Sequence, residues 1–257
     1  MNSNPLTGAY YFLTGFNLIF KPGVRRWVFI PLLISILLFS GLLYYGLLQY
    51  QLITHFITTQ IETWLPDWQW LTTLIAPIQW LITPLFFTTA LIIIFFAYTL
   101  IATAITKPFN GWLAQAVERH LRGKVTYPPF SLLNFIFYFI WSKIAKIIYY
   151  LFWAIILLII SFIPLINLIS PLLWFLFGAW LISLEYMEAP MSNHGYKGKA
   201  QRRMLAQKRL MALGFGSTVL IIMLIPFINF LVLPVAVAGA TRFWVGEFAN
   251  KVPPPTS

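Results

Sequence analysis

The hydrophobic positions of this chain fall in long unbroken blocks rather than in alternation. Residues 27–50 form one apolar run without a charge, and residues 80–106 form a second. At the helical rise, the first run spans about 36 Å, more than the ~30 Å hydrocarbon core of a bilayer. The pattern predicts two long transmembrane helices, 23–50 and 80–106, with Pro31 close enough to the first start to bend it. Two further apolar stretches, 147–188 and 211–248, each carry a similar interruption. One reads SFIPLINLISP and the other LIPFINFLVLP, with Ile-Pro followed by Ile-Asn in both. A Pro-x-x-Asn turn between apolar arms reads as a helical hairpin. Arms 147–163 and 211–225 reach only about 25 and 22 Å, so these hairpins are expected to penetrate partly. Turn backbone at that depth needs a protein or water-lined surface, not lipid.

The connecting segments are more mixed. Residues 1–22 read as an amphipathic interfacial helix ending at Lys21-Pro22. Lys107-Pro108-Phe109-Asn110 reads as a helix break, followed by an amphipathic helix within 107–124. There Trp112, Leu113, Ala116, Val117 and Leu121 share a face, with Glu118, Arg119 and Arg122 elsewhere. A loop at 126–129 and a disordered KVPPPTS tail complete the expectation.

Composition agrees with the blocks. Of 257 residues, 60% are hydrophobic and only 9% charged, against about 25% charged in a soluble domain. The fold class is therefore an all-α integral membrane protein: two long transmembrane helices, partly penetrating hairpins and interfacial amphipathic helices. The N-terminus has no basic region ahead of its apolar residues, so no cleavable leader is expected. There is no cysteine, and the acids and histidines are few: Glu62, Asp67, Glu118, Glu185, Glu188, Glu247, His55, His120 and His194. No clustered constellation for catalysis or metal emerges from these, so neither an enzyme, nor a metal site, nor a cofactor is expected. No GxxxxGK[ST] loop occurs, so no nucleotide hydrolysis is expected.

Charge sets the expected topology. None of the 17 Lys and Arg lies between Trp27 and Thr106. The positive-inside rule puts 49–76, with Glu62 and Asp67, outside, and both Arg25/Arg26 and Lys107 inside. The stretch 191–210 carries Lys197, Lys199, Arg202, Arg203, Lys208 and Arg209 and reads as a basic cytoplasmic loop. It can contact anionic lipid or draw anions by long-range attraction. The chain is thus expected to be multi-pass with both termini cytoplasmic. Topology accounts for the basic excess, which argues against nucleic-acid binding.

The chain's most informative stretch is Lys21-Pro22-Gly23-Val24-Arg25-Arg26. Pro and Gly ahead of a long apolar run mark a helix start, with unpaired backbone N–H groups and the positive dipole end. Two arginines placed there repel that end unless an anion occupies it. The plain alternative is a positive-inside anchor that snorkels to headgroups. Adjacent helical residues sit about 100° apart, so Arg25 and Arg26 can close around an ion, and such a site suits an anion. A donor-only site favours an anion that has no proton to give over one that carries a proton.

Other candidates are weaker. Glu118 and Arg122 form an i,i+4 pair that either supports a helix or lines the inner mouth of a pathway. Glu185 and Glu188 lie at the interface or pair with Arg242. Arg242, Asn167 and Asn229 are pathway or subunit-contact candidates, the asparagines' ordinary role being inter-helix hydrogen bonds. His55, His120 and His194 read as loop or surface residues rather than ligands.

Together, PGVRRWVFIPLLI, KPFNGWLAQAVERHLRG, FIPLIN…LWFLFGAWL, PMSNHGY and IPFINFLVLPVAVAGATRFW resemble the CysZ family of bacterial inner-membrane sulfate permeases. The resemblance covers nearly the whole chain. It implies sulfate import across the inner membrane for cysteine biosynthesis, and assembly as a homo-oligomer, dimer or higher, among membrane lipids. It also maps a sulfate-binding Gly-x-Arg-Arg motif onto Gly23, Val24, Arg25 and Arg26, with Val24 giving mainly its backbone N–H. A non-transporting membrane scaffold, or an anion channel of other selectivity, is the competing reading.

Overall fold

The apolar blocks fold as helices throughout. The computed structural model describes residues 4–64, 69–123, 125 and 132–249. The expected loop at 126–129, the tail at 251–257 and the middle of the outer segment at 65–68 lie outside the described residues. The helices are α1 Pro5–Leu18, α2 Arg26–Trp64, α3 Gln69–Arg122, α4 Leu132–Ser161, α5 Ser170–Asn193, α6 Lys199–Ala206, α7 Arg209–Met223 and α8 Pro226–Glu247, with a short 3-10 turn at Ile166–Leu168. Three described segments are long and apolar enough to cross a membrane: Arg26–Gln49, Ile144–Ser161 and Ser170–Asn193. The protein is an all-α membrane protein.

The chain divides into two compact units, one made of Met1–Val28 with Phe109–Ser257, the other of Phe29–Pro108. The second unit pairs the bodies of α2 and α3. Phe39 meets Tyr98 edge-on at 5.3 Å between ring centroids, and Gly46 lies against Ile94. Rising numbers on α2 meet falling numbers on α3, so the pair is antiparallel.

The first unit is a helical cluster with α1 at its heart. Its Asn4 side chain accepts from the Leu6 N–H and caps the helix start, with Pro5 in the first turn. Helix α1 buries Phe12, Tyr11 and Leu18 and packs on α7 and α8. Backbone approach makes this possible. A Cβ on Gly8 would fall 1.9 Å from the Met211 carbonyl oxygen, and one on Gly15 would fall 2.2 Å from that of Val235. Where lipid surrounds helices, close packing and polar bonds hold them better than apolar burial does. Phe12 meets Phe215 edge-on, Tyr11 stacks on Phe243, and the Tyr11 hydroxyl donates to Glu247 at 3.1 Å. Lys208 closes on the same buried carboxylate at 3.0 Å.

Three local expectations change. The helix break at 107–110 is absent: α3 runs through Pro108 to Arg122. Proline removes one backbone bond, but Phe109 packs against Trp27 and Trp112 directly after it, at 6.2 and 5.2 Å. The amphipathic face is also rotated. Leu113, Ala114, Val117 and Glu118 are buried, while Trp112 is exposed. The basic stretch 191–210 contains α6, which buries Gln201, Met204 and Leu205 and meets α7 at 102°.

Both Pro-Asn interruptions turn the chain. After α4, Leu165 takes a positive φ of 70° and the 3-10 turn follows. At the other, Leu224 and Ile225 separate α7 from α8, so Asn229 lies within the first turn of α8. The arms differ in length: α4 has 30 residues, α5 24, α7 15 and α8 22. Glu185 and Glu188 both take their charge partner from α4, where buried Lys146 reaches Glu185 at 3.3 Å and bonds Glu188 as well. Lys146 reaches both because α4 and α5 pack directly together.

Candidate anion site

The stretch from Lys21 to Arg26 is a tight turn leading into α2. The N–H groups of Val24 and Arg25 both donate to the Lys21 carbonyl, at 3.0 and 3.1 Å. Gly23 carries a φ of 81°, a left-handed conformation that costs a side-chain-bearing residue about 1 kcal/mol or more. Val24 is wholly buried and pins the turn to the core, alongside Val28. Its amide is directed at Lys21, so Val24 serves the turn by its side chain rather than by offering an N–H. Helix α2 starts at Arg26, three residues later than Gly23. Arg25 and Arg26 stand exposed at this start.

An open cavity of about 470 Å³ lies beside the turn, within the size range of small-molecule sites. Gly23, Arg26 and Trp27 form one wall, and Trp112, Arg119 and His120 of α3 form the other. Of the two arginines, Arg26 lines this cavity. Its guanidinium stands 5.3 Å from the Trp27 ring centroid, a cation–π distance. Trp27 and Trp112 meet at 5.3 Å and join the walls. Gln115 also lines the cavity; its Oε1 accepts from Arg119 at 3.4 Å and its Nε2 donates to Asn193 at 3.5 Å.

The nearest acid on this helix turns away. Glu118 is fully buried, bonded to Arg122 at 2.9 Å and to His194 Nε2 at 2.8 Å. Burial pushes its pKa up, but the His194 hydrogen bond and charge, with those of Arg122, outweigh burial and hold it below the ordinary 4.5. His194 also stacks on Trp244 of α8 at 5.1 Å, and Asn193 donates to the Gly111 carbonyl at 2.9 Å. The Asn193–His194 corner therefore ties the α5 end to the α3 end.

Sequence spacing makes the Glu118–Arg122 pair visible. It does not reveal His194, which comes from 76 positions further on, nor does it bring Arg119 and His120 opposite Arg26. Asn167 and Asn229 are exposed beside the two turns, and Arg242 is half-buried on α8; none of the three lines the cavity. Among the described residues no group of His, Asp or Glu is arranged to hold a metal ion.

The sequence matches the family described as Sulfate transporter CysZ/Etoposide-induced protein 2.4 across residues 11–234. A Pseudomonas aeruginosa (strain LESB58) protein named Sulfate transporter CysZ is 37% identical over 249 residues, 96% of this chain and 97% of that protein. The protein of the same name from Pectobacterium atrosepticum is 36% identical over 248 residues, 95% of this chain and 86% of that one. With a match this long, the chain belongs to the Sulfate transporter CysZ/Etoposide-induced protein 2.4 family.

Proposed function

We propose that this protein carries sulfate across the bacterial inner membrane, supplying cysteine biosynthesis, and that the anion is held at the Gly23–Arg26 turn, with Arg25 and Arg26 gripping it and Val24 anchoring the turn by its buried side chain. The observation that carries the reading is the turn itself. Gly23 bends the chain through a positive φ, buried Val24 anchors it, and two adjacent guanidinium groups stand exposed at the start of a 39-residue helix. Guanidinium groups match the paired oxygens of a tetrahedral oxyanion, and the dipole end adds to the attraction. Relatives named as sulfate transporters over nearly their full length supply the substrate.

The protein acts as a transporter rather than an enzyme, as a homo-oligomer held among membrane lipids. The lysine and arginine bias orients it with 49–76 outside and both termini in the cytoplasm. Bringing a dianion in against an inside-negative potential costs about 4.6 kcal/mol at 100 mV. Coupled protons, rapid intracellular consumption of sulfate, or a partner protein must offset that cost. The site lies at the cytoplasmic end of α2 in this orientation, so it serves release or regulation as readily as capture.

Radiolabelled sulfate binding and uptake in proteoliposomes tests the reading. The wild type binds and moves sulfate, and Arg25→Ala/Arg26→Ala loses binding. Loss of binding with conduction intact makes the site regulatory. A folded wild type that neither binds nor moves sulfate ends the transporter reading in favour of a membrane scaffold.

A further inference from the structure

We infer that Arg119 and His120, on the last turns of α3, form the second half of the anion site, facing Arg26 across the cavity. The inference rests on the sulfate reading above and names which residues complete that site. Arg26 and Gly23 line one wall of the 470 Å³ cavity, and Arg119 and His120 line the other. Both walls belong to the same compact unit. A single helix start gives an anion contacts from one side only; a cation on the opposite wall closes the grip.

Three features of the second wall favour a ligand role. Among the described residues no carboxylate lines the cavity; Glu118, the acid on this stretch of α3, is buried and bonded to Arg122 and His194. Among the described lining side chains, the Gln115 Oε1 acceptor takes a hydrogen bond from Arg119 and so helps orient that guanidinium. The indole rings of Trp27 and Trp112 meet between the walls, and an indole N–H donates only. The lining thus offers donors and cations to its contents, the complement of a fully deprotonated tetrahedral oxyanion. The volume leaves room for the ion with several waters, each having a liquid share of about 30 Å³.

A purely structural role also exists for these residues, since cations at a helix C-terminus complement its dipole. That role needs only charge, so lysine fulfils it; bidentate grip on an oxyanion needs the planar fork of arginine.

Sulfate titration by calorimetry into the purified full-length protein in detergent separates the cases. The variants are Arg119→Gln, Arg119→Lys and His120→Gln, each confirmed as folded by size-exclusion profile and thermal midpoint, with Arg25→Ala/Arg26→Ala as reference. Arg119→Gln weakens sulfate binding about tenfold, the loss of one charge-assisted contact. Arg119→Lys recovers only part of the loss, and His120→Gln weakens binding several-fold. Wild-type affinity in Arg119→Gln and His120→Gln, with binding lost in the reference variant, overturns this inference and leaves the proposed site standing. Full recovery in Arg119→Lys also overturns it, in favour of the dipole role. Absence of sulfate binding by the folded wild type defeats the underlying reading and this inference together.

Discussion

Glu118 shows how much a single residue's setting departs from its sequence. Its pairing with Arg122 follows from i,i+4 spacing. Its complete burial and its bond to His194 do not, because the partner arrives on a different helix end. The same limit applied to His194, which read as an ordinary loop histidine for want of a neighbour in sequence. The consequence is testable through pH. The folded state holds the Glu118 pKa below 4.5, so the folded chain binds fewer protons there than the unfolded chain. The resulting stability is fully present above 4.5 and disappears as pH falls through the lowered folded pKa. Glu118→Gln, which keeps the shape and removes the charge, is expected to cost about 1.5–3 kcal/mol at pH 7. The gap in thermal midpoint between wild type and variant, measured in detergent across pH 3 to 8, closes at the acid end. A gap independent of pH shows that the carboxylate's charge contributes nothing.

At the scale of elements, the helix interruptions at Pro164 and just before Pro226 were readable because proline acts locally. The continuity of α3 through Lys107-Pro108 was not, since it depends on Phe109 packing on Trp27, more than eighty positions earlier. Helix α1 is a sharper case. Its apolar and aromatic residues suggest a membrane surface, yet the decisive residues are Gly8 and Gly15, which let the backbones of α7 and α8 come close. Glycine in a helix carries no signature of what it touches. Gly8→Ala places a methyl 1.9 Å from the Met211 carbonyl oxygen and must push α1 off α7, an overpacking cost of about 1–3 kcal/mol. Gly41→Ala, with nothing within 4 Å of the added carbon, is neutral or gains up to about 1 kcal/mol of helix propensity. In detergent, the thermal midpoint of Gly8→Ala should fall below wild type, while that of Gly41→Ala stays at wild type or rises above it. Equal midpoints mean that α1 is not locked to α7 by backbone contact.

For the whole molecule, the apolar blocks disclosed the fold class and the strings disclosed the family, but the cavity was hidden. It forms only when the turn before α2 and the end of α3 meet, and its lining residues, though adjacent within each wall, lie some ninety positions apart. The proposed orientation in the membrane, by contrast, rests on the charges. The positive-inside rule acts on short loops near spans, and here the run 27–106 has no basic residue while 191–210 carries six. The chain has no cysteine of its own, so one introduced thiol reports its side without background. Thr59 and Lys199 are both exposed, the first in the proposed outer segment and the second in the basic stretch. In intact cells, a charged membrane-impermeant maleimide is expected to label Thr59→Cys and to label Lys199→Cys only after lysis. Labelling of Lys199→Cys alone in intact cells inverts the orientation and moves the Arg25–Arg26 turn to the outer face, where it would capture external sulfate directly. Labelling of both in intact cells means that the chain does not cross the membrane between them an odd number of times, and the charge rule then does not describe this protein.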